Sequence, residues 1–330
     1  MLIVCPNVAI DHTIRLATLR PGAVQRTGPA VSVAGGKGAN MARAALALGG
    51  TPTVVGFLAA AGRAYLRELY AAERIPLTGV EVGGAVRSCT TVIEDDGRVT
   101  LLNEPGPRVT DEDWQQLLRP AAVPTGWVIG TGSLPPGAPV DGYARLVAQV
   151  HGSGGRCAVD AGGPALRAAA EAGADLVCPN LSEAQSVLSD AAVAVEEVDE
   201  RGADIPDRAI RAARQLRALG ARQAAVTAGA RGVALADDTG YRWLPTVPVV
   251  ARNPIGAGDS FLAGTVLAQE RGADWPTAVR FGMATAGSSV ENDGAGVVDP
   301  AMVRALVSKL LVAHQISRPG LPGDPASRYV

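Results

Sequence analysis

The chain is poor in most features that mark a secreted, metal-clamped or nucleic-acid-binding protein. Its four cysteines (Cys5, Cys89, Cys157, Cys178) form no CxxC pair, and no metal-ligand spacing joins them to the three histidines. That excludes a disulfide framework or a zinc clip and leaves free thiols, which suit a reducing cytoplasm. Aromatic residues make up only 4%, and the scattered basic residues are never interleaved with them. With a net charge of -2, nucleic acid is excluded as the main partner. No apolar run approaches the length of a membrane span. The apolar start lacks the basic region and cleavage pattern of a leader, so the expectation is a cytoplasmic protein with no membrane partner.

What is present is small and apolar. Hydrophobic residues make up 47% of the 330 positions, ample for a sizeable core. The length allows one large domain or two modest ones. Short apolar runs alternate with helical ones. Trp127-Val128-Ile129-Gly130-Thr131 reads as a buried strand, followed by a helix near Tyr143 to Val150. Arg156 to Asp160 is the next strand, with a helix near Ala165 to Glu171. Asp175 to Cys178, a helix from Ala209 to Leu219 and Gln223 to Thr227 continue the rhythm. Such alternation predicts a mostly parallel sheet with helices on both faces and ligands at the C-terminal strand ends. Asp160, Asn180, Thr227 and Asp259 fall on that rim. Arg87 to Leu102 breaks the rhythm as a hairpin turning at Asp95-Asp96-Gly97, and 11–33 is irregular; together they suggest a second, small sheet.

Two glycine clusters carry the chemistry. In Asn253-Pro254-Ile255-Gly256-Ala257-Gly258-Asp259-Ser260, small residues run into an aspartate and an apolar run starting at Phe261. If that run is a helix, the N–H groups of Gly256, Ala257 and Gly258 lie at its positive end, where an anion is favoured. Asp259 beside it can take a proton from a hydroxyl attacking a phosphoryl group. The plainer reading is an Asp-capped helix. The second cluster, Ala34-Gly35-Gly36-Lys37-Gly38-Ala39-Asn40, precedes a helical run from Met41 to Gly49. It matches neither a Walker P-loop nor a Rossmann fingerprint, and by itself it reads as a tight turn against a sheet.

In this order, the two clusters resemble the PfkB (ribokinase-like) family of carbohydrate kinases over residues 1 to about 310. Cys5-Pro6-Asn7-Val8-Ala9-Ile10-Asp11, Leu102-Asn103-Glu104-Pro105-Gly106-Pro107 and Gly132-Ser133-Leu134-Pro135-Pro136-Gly137 are similar to its 1-phosphofructokinase and tagatose-6-phosphate kinase branch. Asn180-Leu181-Ser182-Glu183 fits the family's Asn-x-x-Glu element. The resemblance implies a ribokinase-like three-layer α/β/α fold and a single kinase domain over 1–316. It also implies a small β-sheet lid from 11–33 and 87–104 that can serve as a homodimer contact. The segment 317–330, rich in Pro, Gly and polar residues, is expected to be a disordered tail.

The resemblance also distributes roles. Asp259 becomes the catalytic base, with Gly256, Ala257 and Gly258 stabilising charge on the transferred group. Thr227, Ala228, Gly229, Ala230, Arg231 and Gly232 fall where the family binds ATP, and the small residues from Ala284 to Asn292 could wall the adenine. Asn180 and Glu183, three apart on a first helical turn, suit Mg²⁺ held through water, or equally a capping box. Asp11, Gly35, Gly36 and Asn40 fall on the sugar side. Lys37, Arg87 and Ser133 are candidates for a phosphate already on the sugar, although Arg87 reads equally as a solvated strand residue.

Several positions depart from the family pattern. Its usual lysine before Pro-Asn is Cys178, leaving Arg231 as the nearest replacement cation by motif. Cys89 stands where close relatives carry Asn. Gly56-Phe57-Leu58-Ala59 lacks its last glycine, and Ala60 to Arg63 lacks an acid. The implied reaction is ATP- and Mg²⁺-dependent phosphorylation of fructose 1-phosphate. Tagatose 6-phosphate, an unphosphorylated sugar or nucleoside, and a non-catalytic sugar-phosphate sensor stand as alternatives.

Overall fold

The computed structural model describes residues 1–122, 126–188 and 202–316. The tail expected over 317–330 lies outside the described residues. Strands of the main sheet are β1 (Leu2–Val4), β4 (Thr53–Ala61), β5 (Leu77–Ala85), β8 (Trp127–Thr131), β9 (Arg156–Asp160), β10 (Leu176–Val177), β11 (Ala224–Thr227), β12 (Gly232–Asp237) and β13 (Gly240–Pro245). Their spatial order is β13-β12-β11-β10-β9-β8-β1-β4-β5. All neighbours are parallel except β11–β12 and β12–β13. The smaller sheet holds β2 (Ala9–Leu16), β3 (Val31–Gly35), β6 (Arg87–Glu94) and β7 (Val99–Asn103) in the order β3-β2-β6-β7. Its β6–β7 hairpin turns at Asp95-Asp96-Gly97 as expected, with Gly97 at φ 87°.

The main sheet is buried on both faces, and its side chains alternate between two cores. Along β8, Val128 enters one core while Trp127 and Ile129 enter the other. The first core receives α3 (Asp111–Leu118), α4 (Gly142–Gly152), α5 (Gly163–Glu171), α6 (Leu181–Leu188) and α7 (Ile205–Leu219). The second receives α1 (Lys37–Ala47), α2 (Arg63–Ala72), α8 (Ala257–Glu270), α9 (Trp275–Val290) and α10 (Pro300–Ile316). This is the three-layer α/β/α arrangement that the alternation implied. No described helix is long and apolar enough to cross a membrane.

Helix α8 is buried without a break from Asp259 to Ala268, so it shows no polar stripe. Glycines let it press against α9. A Cβ on Gly282 would lie 2.0 Å from Thr265 Oγ1, and one on Gly264 would lie 2.4 Å from Thr285 Oγ1. Both hydroxyls turn back onto their own helix, to Phe261 O and Phe281 O, so burial leaves them satisfied.

Helix α1 starts at Lys37, earlier than the Met41 that the periodicity suggests, whereas α8 starts at Ala257 with Gly256 to Gly258 at its positive end as expected. In each case a glycine at positive φ, Gly36 at 85° and Gly256 at 78°, turns the chain into the helix. The glycine-rich motifs are therefore first turns of helices rather than loops before them.

Candidate active site

Asp259 lies in the first turn of α8 and is 6% exposed. Gly256 supplies no side-chain cap to this helix. The position where Gly258 would carry a Cβ opens onto empty space. The first turn thus presents backbone and dipole to the cleft without a shielding side chain. Ala257 N–H partly turns back to Pro254 O, at 3.3 Å. Asn40 Nδ2 donates to Asp259 Oδ2 at 2.8 Å. Asn40, expected on the sugar, thus also holds the Asp259 carboxyl. Burial pushes the Asp259 carboxyl up to about 7, against the pull of Lys37, with Asp160 adding to the rise. A base poised there suits proton abstraction near neutrality.

Lys37 sits differently from its expected role. Its Nζ lies 3.1 Å from both oxygens of Asp160 and 3.6 Å from Glu183 Oε1. Burial opposes its charge, but the two carboxylates outweigh burial and raise its pKa. The ammonium is therefore committed to the rim of β9 and α6 rather than standing free for a sugar phosphate. It still lines a cavity of about 500 Å³ with Gly132, Ser133, Gly162 and Glu183. Asp160 is 4% exposed and also accepts from Thr131 Oγ1 at 3.3 Å. Sequence reasoning put Asp160 on the rim but gave it no role.

On the acceptor side, Asp11 of β2 sits against Gly35 and Gly36. A Cβ on Gly35 would lie 2.2 Å from Asp11 Oδ1, so only glycine fits. Burial lifts the Asp11 carboxyl to about 6, while the Gly36 backbone, Arg43 and Arg87 pull it down. Cys89 pairs in register with Asp11 on β6. Burial pushes its thiol up to about 11, so it stands there as a neutral group. Arg87 is not a free surface residue: Nε donates to Asn7 O at 3.0 Å and Nη1 to Glu104 O at 3.4 Å.

Asn7 joins three of the motifs and was not singled out beforehand. It is 2% exposed, and its Nδ2 donates to both Pro105 O and Ser133 Oγ at 3.0 Å. A Cβ on Gly106 would lie 2.1 Å from Asn7 Oδ1. The order of these short motifs along the chain thus reflects one physical cluster. Its signal was present in the sequence as an amide inside a quoted motif.

On the opposite rim, Asn180 and Glu183 form the reciprocal capping box of α6. Asn180 N donates to Glu183 Oε2 at 2.9 Å, and Glu183 N donates to Asn180 Oδ1 at 2.8 Å. Burial raises the Glu183 pKa while Lys37 lowers it. No cluster of three or more acidic, His or Cys side chains able to hold a metal occurs among the described residues. This donor set makes no all-protein cage; it fits an ion that keeps its waters and touches a single carboxylate. Asn180 bridges to Thr227 at the end of β11. Beyond it, Gly229–Arg231 make a 3₁₀ turn closed by Ala228 N donating to Gly232 O at 2.9 Å. Ala230 and Arg231 are exposed on that turn. Cys178 is buried, which raises its thiol pKa well above the usual value.

Comparison with known proteins agrees with this geometry. Residues 6–302 match the family model described as pfkB family carbohydrate kinase. A 1-phosphofructokinase of Haloferax volcanii is 36% identical, covering 91% of this chain and 93% of that protein. A 1-phosphofructokinase of Rhodobacter capsulatus is 30% identical over 93% of this chain and 95% of its own length. The crystal structure of phosphofructokinase-2 from Escherichia coli in complex with potassium superposes with a TM-score of 0.85 at 25% identity, covering 94% of this chain and 99% of that one. With a family model matching residues 6–302 and a relative 36% identical over 91% of its length, the chain belongs to the pfkB family of carbohydrate kinases.

Proposed function

We propose that the protein transfers the terminal phosphoryl group of ATP to the 6-hydroxyl of fructose 1-phosphate. The observation that carries this is the buried Asp259 carboxyl at the uncapped start of α8, raised to about 7. The relatives named 1-phosphofructokinase support the choice of acceptor. In this reading the sugar hydroxyl gives its proton to Asp259 as its oxygen bonds to phosphorus. The bond from phosphorus to the ADP oxygen breaks, and ADP leaves. The first-turn N–H groups of Gly256, Ala257 and Gly258 stabilise the charge on the moving phosphoryl group.

Asp11, Gly35, Gly36 and Asn40 hold the sugar hydroxyls, while Arg87 and Ser133 receive the phosphate already present. The turn Thr227 to Gly232, with Asn180, receives the nucleotide. Mg²⁺ would be held by the nucleotide phosphates and by Glu183 through water, and it would supply charge neutralisation. We further assign the face of the small sheet that carries Val31 and Leu101 as a contact with a second copy. Val31 and Leu101 line up there across Thr13 and Thr91 and are exposed at 61% and 52%, and sedimentation velocity of wild type and Leu101→Glu would test it. A Leu101→Glu chain sedimenting like wild type overturns that assignment.

The deciding experiment for the reaction is ATP turnover over fructose 1-phosphate, tagatose 6-phosphate, fructose and a nucleoside. The reading predicts the highest kcat/KM for fructose 1-phosphate. A higher value for any other acceptor, or no turnover with all of them, rejects it.

A further inference from the structure

One half-buried arginine next to the site is used by none of the roles above. Arg43 lies one turn along α1 from Asn40, with its side chain 17% exposed. Its guanidinium reaches four places. Nε donates to Glu73 Oε2 at 2.6 Å, and Nη2 to Ala34 O at 2.9 Å. Nη1 donates to Asn40 Oδ1 at 3.0 Å and to Ala295 O at 2.5 Å. Glu73 Oε1 in turn accepts from Ala34 N at 3.0 Å. The acceptors thus come from the end of β3, the end of α2, α1 itself and the turn between α9 and α10.

The bond to Asn40 has a chemical consequence. An amide has a donating end and an accepting end. Arg43 occupies the accepting end of Asn40, so the donating end must face Asp259. Turning the amide over would set its NH₂ against a guanidinium and its oxygen against a carboxylate. The turned amide becomes acceptable only if Asp259 is protonated, because a carboxylic acid can donate to that oxygen. There is little room for Asn40 to move instead. A Cβ on Gly256 would lie 3.3 Å from Asn40 Nδ2, and one on Gly296 2.5 Å from Asn40 O.

We infer that Arg43 is a positioning residue: by fixing the Asn40 amide it keeps Asp259 in the proton-accepting form. This rests on Asp259 being the base. The charged and titratable groups facing Asp259 are Lys37 on α1, Asp160 on β9, Asp11 on β2 and the thiols of Cys5 and Cys178. Arg43 also draws down the Asp11 carboxyl, an effect that belongs to sugar binding and registers in KM. The effect on Asp259 registers in kcat.

The test is the pH profile of kcat for Arg43→Gln and Arg43→Lys with saturating ATP and fructose 1-phosphate. Losing the guanidinium removes the lock and a positive charge, and both changes raise the pKa of the base. An upward move of one pH unit lowers kcat about fivefold to tenfold near pH 6.5 and less than about twofold near pH 9. Arg43→Lys keeps the charge and the partner at Glu73, so its acid limb should fall between wild type and Arg43→Gln. A loss of kcat equal at both pH values, or no loss, overturns the inference. If Arg43→Gln fails to fold, judged by circular dichroism, Arg43→Lys is scored by the same two outcomes. Asp259→Asn run in parallel separates the readings. Wild-type kcat in Asp259→Asn removes the base itself, whereas an inactive Asp259→Asn beside an unshifted Arg43 profile removes only the role of Arg43.

Discussion

Lys37 Nζ stands 3.1 Å from both carboxylate oxygens of Asp160, although 123 positions separate the two in the chain. The rim that holds Cys178 therefore does have a cation, delivered by α1 from the other side of the cleft.

The Cys178 site should accordingly gain nothing from a restored lysine. Cys178→Lys would bring a second ammonium beside Lys37 into a buried position, and burying an unpaired charge is costly. We expect unchanged or higher KM for ATP and a lower melting temperature. Lys37→Met should do more damage. It strands the buried Asp160, and because the Lys37 side chain is 35% exposed the loss should stay below the about 3–5 kcal/mol of a fully buried pair. Steady-state kinetics with both substrates and a thermal melt check each variant. An improved kcat/KM for ATP in Cys178→Lys would show that the position still lacks its charge.

Asp259→Asn should lower kcat by about 10²–10⁴ while KM for ATP changes little, because general-base help is what it removes. The wild-type rate should fall as pH drops through about 7, the folded-state value of this carboxyl. Stability runs the other way. A carboxyl whose pKa is raised on folding binds its proton more readily in the native state, so stability is lost as pH rises from 3.8 toward 7. Asp259→Asn removes that loss. It should melt above wild type at alkaline pH, with the gap closing in acid. Melting curves at both extremes of pH decide this, and equal gaps would contradict the sign.

Arg87→Ala should raise KM for fructose 1-phosphate about tenfold to a hundredfold, the range for a charge-assisted bond of roughly 1.5–3 kcal/mol. KM for ATP should stay near wild type. Because Arg87 also donates to Asn7 O and Glu104 O, the melting temperature is measured alongside. A fall in stability with unchanged sugar-phosphate KM would make Arg87 a strut of the small sheet and no more.

Gly106→Ala should cripple the acceptor side. Its Cβ would fall 2.1 Å from Asn7 Oδ1, and Gly106 sits at φ 92°, where a side chain is strained. Asn7 would have to move and release Ser133. Loss of sugar-phosphate affinity with retained ATP binding is the expected pattern, read by equilibrium titration of each ligand.

The alternation of strands and helices was readable from the chain. Trp127 to Thr131 and Arg156 to Asp160 have the bounds that periodicity implies, because a strand buried on both faces is a continuous apolar run. The start of α1 at Lys37 lies a turn before the apparent start at Met41, because glycine's low propensity conceals a first turn. Asp259, Asn40 and Asp11 stand out in the sequence because their motifs are local. Asp160 is placed on the rim but its partner Lys37 is not foreseen, and neither are the partners of Asn7 and Glu73, since all of these lie 30 or more positions away. Lys37 shows the limit most plainly: a lysine in a glycine turn announces a cation but not which carboxylate it will meet.

Asn40 and Asp259 are joined across 219 residues, and that span has a consequence for synthesis on the ribosome. The sugar side of the cleft is complete in sequence before α8 emerges. A nascent or prematurely ended chain can carry Asp11, Gly35 and Asn40 yet lack Asp259. With Asp259 as the proposed base, turnover of ATP waits for the last quarter of the polypeptide to dock. Proteolytic removal of that quarter would leave an inert fragment rather than an unregulated hydrolase.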